Sequence, residues 1–142
     1  MTPTDQYVIL VDEYDNDIGT CEKLAAHQTA QLHRAFSIFL MREYNGKQEI
    51  LLQHRHPEKY HSCGLWANTC CSHPRPGETV LDAANRRLRE ELSITAELYE
   101  IGGFIYKAKL DNDLTEHEFD HVLVGNFDND HIPLYTDEVI AT

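Results

Sequence analysis

Glu78-Thr79-Val80-Leu81-Asp82-Ala83-Ala84-Asn85-Arg86-Arg87-Leu88-Arg89-Glu90-Glu91-Leu92-Ser93-Ile94 is the stretch on which the fold turns. Leu81, Ala84, Leu88 and Leu92 recur at spacings of three and four, which predicts a helix over Thr79–Leu92 with one buried stripe. Thr79 and Asp82 have the form of a capping pair at its start. Arg86, Arg87, Glu90 and Glu91 lie largely off the stripe, and their spacing allows i,i+4 ion pairs on a solvated face. Working outward, Ile101–Leu110 and Glu118–Phe127 read as strands separated by the turn Asp111-Asn112-Asp113. Upstream, Ala35–Arg42 and Glu49–Gln53 read as strands joined through Tyr44-Asn45-Gly46-Lys47, where Asn-Gly is a strong hairpin signal. Tyr7–Val11 is another strand, followed by a polar turn from Asp12 to Gly19. His54 to Cys63 is polar and histidine-rich and reads as a loop, after which Gly64–Cys71 returns to apolar character and Pro74–Gly77 closes it. The residues therefore predict an antiparallel-rich sheet with at least one packed helix, an α+β or α/β sandwich.

The chain has 142 residues, one domain's worth, and 42% hydrophobic with 25% charged residues is an ordinary globular balance. Twelve Lys and Arg face twenty-four Asp and Glu, a formal net charge of −12. That charge argues against nucleic acid as a partner, because phosphate neutralisation needs a basic face, and against an anionic membrane surface. The longest apolar runs are far too short to span a bilayer, and no basic segment followed by an apolar one opens the chain. The expectation is a soluble, cytoplasmic protein. Cys21, Cys63, Cys70 and Cys71 do not form a disulfide framework: Cys70 and Cys71 are neighbours, and no C-x2-C pair suggests a zinc ribbon. Nine histidines raise the expectation of a metal site, and nine acidic residues without any Lys or Arg between Leu110 and Thr142 offer oxygens for it.

Glu78 followed by seven residues and then Arg86-Arg87-Leu88-Arg89-Glu90-Glu91-Leu92-Ser93-Ile94 has the spacing of a Nudix box. That pattern brings carboxylates to a divalent cation bound to diphosphate. Ser72 and Ser93 stand where the pattern has glycine, and Arg87 replaces a glutamate. Three further motifs extend the resemblance. The first is Glu22-Lys23-Leu24-Ala25-Ala26-His27 followed by Leu32-His33-Arg34-Ala35-Phe36-Ser37; the second is Leu65-Trp66-Ala67-Asn68-Thr69-Cys70-Cys71-Ser72-His73-Pro74; the third is Glu116-His117-Glu118. With them the chain, from about Tyr7 to Phe127, resembles type I isopentenyl-diphosphate isomerase, a member of the Nudix superfamily.

The resemblance implies a single Nudix-type isomerase domain over residues 1–142, an α/β/α sandwich with a mixed β-sheet flanked by helices. His27, His33, His73, Glu116 and Glu118 match the positions that ligate a divalent metal in the family, and Mn2+, Zn2+ or Mg2+ suits three imidazoles and two carboxylates. Glu116 and Glu118 are two apart, so on a strand both point to one face. Cys71 and Glu118 match the pair that adds and removes protons, with either order open, and Tyr106 matches the tyrosine that relays to the glutamate. If Ala67–Cys71 is a strand, Cys70 and Cys71 face opposite sides, His73 shares the face of Cys71, and Cys70 is a buried packing residue. Lys23, Arg55, Lys59 and Arg87 match contacts to the substrate diphosphate, and Glu91 matches a ligand of a second ion, Mg2+, bridged by that diphosphate. His54, His56, His61, His117, His121 and His131 read as ordinary surface or packing residues.

The implied reaction is the interconversion of isopentenyl and dimethylallyl diphosphate in isoprenoid biosynthesis, by a monomer or weak dimer acting on a small prenyl diphosphate. The family normally continues past Asp137-Glu138-Val139 through a strand and C-terminal helices that bring a tryptophan; the expectation here is that this part is missing, with Trp66 the single tryptophan. The alternatives are a Nudix pyrophosphohydrolase acting on a nucleoside diphosphate derivative, which would not need Cys71, and a non-catalytic metal-binding module.

Overall fold

In a computed structural model of the chain, residues 6–44, 46–54, 66–67 and 69–127 are described. In chain order the elements are β1 (Tyr7–Val11), β2 (Asp17–Glu22), α1 (Lys23–Gln28), β3 (His33–Tyr44), β4 (Lys47–Ile50), β5 (Gln53–His54), β6 (Trp66–Ala67), β7 (Cys70–Ser72), α2 (Val80–Leu92), β8 (Leu98–Lys109) and β9 (Thr115–Asn126). Among the described residues β5 and β6 pair only with each other, and the other seven strands form one sheet. Its order is β2-β1-β3-β9-β8, with β4 and β7 also paired to β3.

The long strand β3 organises the sheet. Along one edge it meets β1, β7 and β4 in turn, all antiparallel. Along the other it runs parallel to β9 from His33↔Glu118 to Met41↔Asn126. This parallel ladder makes the sheet mixed, as the family resemblance implies, where the strand and turn signals alone predict only an antiparallel-rich sheet. Parallel neighbours are joined by a crossover rather than a tight turn, and local turn chemistry carries no trace of such a pairing. The two hairpins with legible turns form as expected: Tyr44 pairs with Lys47 across Asn45-Gly46, with Gly46 at a φ of 76°, and β8 pairs with β9 over their whole length.

Alternation along the strands divides the sheet's two faces. Phe36, Ile38 and Leu40 of β3, Leu123 of β9 and Cys70 of β7 pack with Ala83, Ala84, Leu88 and Leu92 of α2 in the main hydrophobic core. At the rim of that core Gly125 passes so close to β8 that a Cβ there would lie 2.7 Å from the Glu97 carbonyl oxygen. His33 and Ser37 of β3, Glu118 and Asp120 of β9, Tyr106 of β8 and Cys71 of β7 belong to the opposite face by register. Two strand neighbours, Cys70 and Cys71, therefore serve the two faces: Cys70 is fully buried and Cys71 is exposed.

Three local readings change. α2 begins where expected, with the Thr79 hydroxyl accepting from the Asp82 N–H at 3.1 Å, but Leu81 is 46% exposed and Ala83 takes its place in the buried stripe. Glu91, expected largely off that stripe, is only 3% exposed. The polar segment after β1 turns sooner than expected, and Asp17–Glu22 returns as β2. α2 ends on Ser93 in the left-handed conformation, φ 55° and ψ 34°, the position where the motif has glycine. No helix among the described residues is long and apolar enough to cross a membrane.

Candidate metal centre and proton-handling face

Four side chains from four places along the chain converge at one end of the β3–β9 ladder. His27 comes from α1, His33 from the start of β3, His73 from just beyond β7 and Glu118 from β9, and one ligand atom from each lies within 4.8 Å of all the others. The three imidazole centroids are 5.0–5.8 Å apart. His27 and His33 are fully buried, and Glu118 is nearly so. His33 and Glu118 are direct register partners, so the parallel ladder itself sets one edge of the cluster.

The hydrogen bonds around the rings decide their tautomers. His27 Nδ1 lies 2.7 Å from the Lys23 carbonyl and His33 Nδ1 lies 2.8 Å from the Gln31 carbonyl. A carbonyl only accepts, so each Nδ1 carries a proton and it is Nε2 that each ring turns inward, bare whenever the ring is neutral. His33 Nε2 then faces Glu118 Oε2 at 3.3 Å. Two acceptors at that distance repel unless a proton or a cation lies between them. Main-chain carbonyls fixing the outer nitrogen of inward-facing histidines are the usual support of a metal site. The donor set, three imidazoles and a carboxylate, thus fits a divalent metal ion on its own chemistry.

Electrostatics points the same way. Burial pushes the His27 and His73 imidazoles down, His73 to about 4, and the charges of His33 and Lys23 add to the shift. Burial alone would raise Glu118, but hydrogen bonding and charge from His33 and His73 outweigh it and hold the carboxyl well below the usual carboxylate range. Glu118 is thus held as a carboxylate while the His27 and His73 rings resist protonation, the direction that metal ligands need. His73 Nε2 is 2.9 Å from Glu118 Oε2. On the other oxygen, the Tyr106 hydroxyl donates to Glu118 Oε1 at 2.6 Å. Burial and the Glu118 charge keep that phenol protonated far above its ordinary range. The same hydroxyl is 3.1 Å from Glu116 Oε1, so Glu116 stands beside the cluster through Tyr106 but is not one of the four converging groups.

Cys71 lies on this face, as alternation along its strand requires. Its Sγ is 3.5 Å from the Ser37 Oγ across the β3–β7 pair. Ser37 in turn donates to the Asp120 carboxylate, 2.8 and 3.0 Å from its two oxygens. Asp120 is 5% exposed; burial raises it to about 6 despite the Ser37 bond, and the Glu118 charge adds to the rise. The sequence analysis names neither Ser37 nor Asp120 as a functional residue. The one available signal for Asp120 is its place two residues beyond Glu118, which on a strand returns it to the same face. β7 is held in place by buried Thr69, whose hydroxyl accepts from the Leu40 N–H and donates to the Leu51 carbonyl.

The helix-borne residues lie on the other side. Arg87 donates to Glu91 Oε1 and Glu90 Oε1, each at 2.9 Å, and the Cys70 thiol donates to Glu91 Oε2 at 2.6 Å. Arg86 holds Glu78 through two 2.8 Å bonds and reaches Glu90 at 3.0 Å. Both i,i+4 pairs read from the sequence therefore exist, and Glu91 is outside the histidine cluster. Glu91 is nonetheless tied to the strand that carries Cys71, through its hydrogen bond from the Cys70 thiol. Lys23 opens α1 near His27 and His73, whose shifts register its charge. Arg55 and Lys59 lie outside the described residues. His117 bonds the Ala30 carbonyl, and His121 bridges Asp15 and Glu100, in keeping with packing roles.

Comparison with known proteins bears on the family and the fold. The NUDIX domain family model matches residues 31–142. Isopentenyl-diphosphate Delta-isomerase 2 of Aromatoleum aromaticum is 54% identical over 121 residues, covering 85% of this chain and 62% of that protein. Isopentenyl-diphosphate Delta-isomerase 1 of the same organism is 54% identical over 126 residues, covering 89% of this chain and 70% of that protein. The chain thus spans about two thirds of the length of the curated relatives it matches. Among solved structures, DR0079 from Deinococcus radiodurans superposes with a TM-score of 0.73 over 95% of this chain and 80% of that one; at 19% identity this speaks for the fold alone.

Proposed function

The chain belongs to the Nudix family and, within it, to the isopentenyl-diphosphate Delta-isomerases, and on that premise we propose that it interconverts isopentenyl and dimethylallyl diphosphate. The reaction adds a proton to the terminal methylene carbon and removes one from the carbon two positions away, so the double bond moves and the composition is unchanged. An unactivated alkene is a very weak base, so both proton-handling groups must be held close and aligned. Cys71 and Glu118 are our candidates, presented on one face by β7 and β9. Tyr106 donates a hydrogen bond to Glu118 Oε1 and fixes the direction of that carboxyl. The observation that carries this reading is the convergence of His27, His33, His73 and Glu118 on the face that also carries the Cys71 thiol.

We assign His27, His33, His73 and Glu118 as holders of one divalent ion, Mn2+ in the first instance with Zn2+ or Mg2+ as substitutes, with Glu116 adjacent. Glu91 is our candidate ligand for Mg2+ arriving with the diphosphate. When bound, the ions supply positive charge that fixes Glu118 and offsets the substrate's anion. Lys23, Arg55, Lys59 and Arg87 are proposed diphosphate contacts, which supply local attraction in a protein of net charge −12. A single domain working in the cytoplasm completes the proposal.

Purified protein supplied with Mn2+ and Mg2+ should exchange deuterium from solvent into isopentenyl diphosphate and form dimethylallyl diphosphate. Cys71→Ala and Glu118→Gln should each lower kcat by about 10²- to 10⁴-fold while the protein still unfolds cooperatively. Absence of exchange in the wild type refutes the reading. A hydrolase would instead release phosphate or nucleoside monophosphate from nucleotide substrates, and Arg87 at a position where the pattern has glutamate argues against it.

A further inference from the structure

Asp120 and Ser37 are a buried carboxylate and a hydroxyl that the chemistry above leaves unused, and they end on the Cys71 sulfur. Ser37 Oγ has one proton, and the carboxylate, with oxygens 2.8 and 3.0 Å away, only accepts. That proton is therefore committed to Asp120, and the Ser37 oxygen meets Cys71 with lone pairs alone. At 3.5 Å the contact to Sγ can form in one sense only, with the thiol S–H donating to Oγ. We propose that Ser37, braced by Asp120, is a positioning residue for Cys71: it orients the thiol and holds its hydrogen toward β3 until substrate displaces it. The inference rests on the isomerase reading for its kinetic consequence, but not for the hydrogen bond itself.

The geometry is set by the sheet. Ser37 and Cys71 are register partners on β3 and β7, and Asp120 sits on the β9 strand that runs parallel to β3 on its other side. The three groups thus lie in one row across three adjacent strands. Their spacing is fixed by ladder hydrogen bonds rather than by a loop. Asp120 is 5% exposed, so water competes little for its oxygens, and Ser37 gives the Cys71 thiol a partner whose position the sheet fixes.

The test uses the intact protein carrying Mn2+ and Mg2+ at pH 8, with Ser37→Ala, Ser37→Thr and Asp120→Asn. The infrared S–H stretch of Cys71 is isolated as the difference from Cys71→Ala, because a hydrogen-bonded thiol absorbs at lower wavenumber than a free one. Ser37→Ala should move the band to higher wavenumber and lower kcat by about 10²-fold, the size expected of a reacting group misplaced by roughly 1 Å, with KM nearly unchanged. Ser37→Thr retains the hydroxyl and should restore both band and rate. Asp120→Asn can donate its amide N–H to Ser37, turn the serine proton toward sulfur and so free the S–H, and it should move the band in the same direction. Bound Mn2+ per protein reports that the histidine cluster stays intact in each variant. A band that stays put in both Ser37→Ala and Asp120→Asn overturns the proposal. So does a Ser37→Ala enzyme that keeps its wild-type kcat. If the wild type does not turn over, the isomerase reading fails and the band alone decides the hydrogen bond.

Discussion

Arg87 and Glu91 offer a measurement in which burial decides the expected size. The guanidinium and carboxylate approach to 2.9 Å, with side chains 19% and 4% exposed. Placing unit charges about 4 Å apart at an effective dielectric of about 20 gives an attraction of about 4 kcal/mol. Desolvation reduces the net value, and Glu90 shares the same arginine at 2.9 Å, so a coupling of about 1.5–3 kcal/mol remains. An exposed i,i+4 pair would give only about 0.3–0.5 kcal/mol. The perturbation is the double-mutant cycle of Arg87→Ala and Glu91→Gln, read by urea denaturation at pH 7.5 in chelator and without diphosphate. Arg87→Ala alone should cost about 2–4 kcal/mol because it leaves a buried carboxylate behind. Adding Glu91→Gln should recover part of that loss. Repeating the cycle in 1 M salt should change the coupling little, since the carboxylate is shielded from solvent. A coupling at or below 0.5 kcal/mol, or one abolished by salt, would refute the claim that this is a buried pair.

Three further outcomes follow from other features. His73, depressed from 6.5 to about 4, stays neutral in the fold while the unfolded chain takes up a proton, so its contribution is intact above pH 6.5 and drains away as pH falls toward 4. In chelator-treated protein this should lower stability by about 2 kcal/mol from pH 7.5 to 5, and His73→Asn should remove that slope; a variant with the wild-type slope refutes the assignment. Ser93→Gly should raise stability by about 0.5–1 kcal/mol, because glycine adopts the left-handed helix end without the strain a Cβ brings; no gain in urea midpoint would contradict that. Leu88→Ala should cost about 2–5 kcal/mol and Leu81→Ala less than about 0.5, since the first is fully buried and the second is not; equal losses would mean the helix is rotated from the orientation described.

The candidate site was largely legible because its chemistry depends on residue types at short, strand-compatible spacings. Glu116 and Glu118 two apart, and Cys71 and His73 two apart, announce a shared face before any coordinate is known. Motif resemblance did what spacing cannot, linking His27 and His33 to a carboxylate far along the chain. The parallel β3–β9 ladder was hidden, because a non-local pairing leaves no turn signature between its strands. Leu81 misled because a helical stripe two or three turns long fits more than one rotation, and a small residue such as Ala83 can define the buried side as well as a leucine. Glu91 was read as solvated because sequence gives its charge but not the thiol and guanidinium that cover it. Ser37 and Asp120 escaped for the same reason: a serine and an aspartate on different strands mean nothing until register aligns them.

Pairing His33 with Glu118 across the parallel ladder ties the proposed metal site to the slowest-forming kind of contact in the molecule. No hairpin or isolated helix holds two of these ligands at their final separation, so a chain caught partway through folding has nothing for a cation to select. Metal would then act late, as a lock on the finished architecture, and would raise the unfolding barrier of the whole sheet rather than tighten one loop. Chelation should accordingly show itself first as faster global opening, with amide protons of β3 and β9 losing protection together.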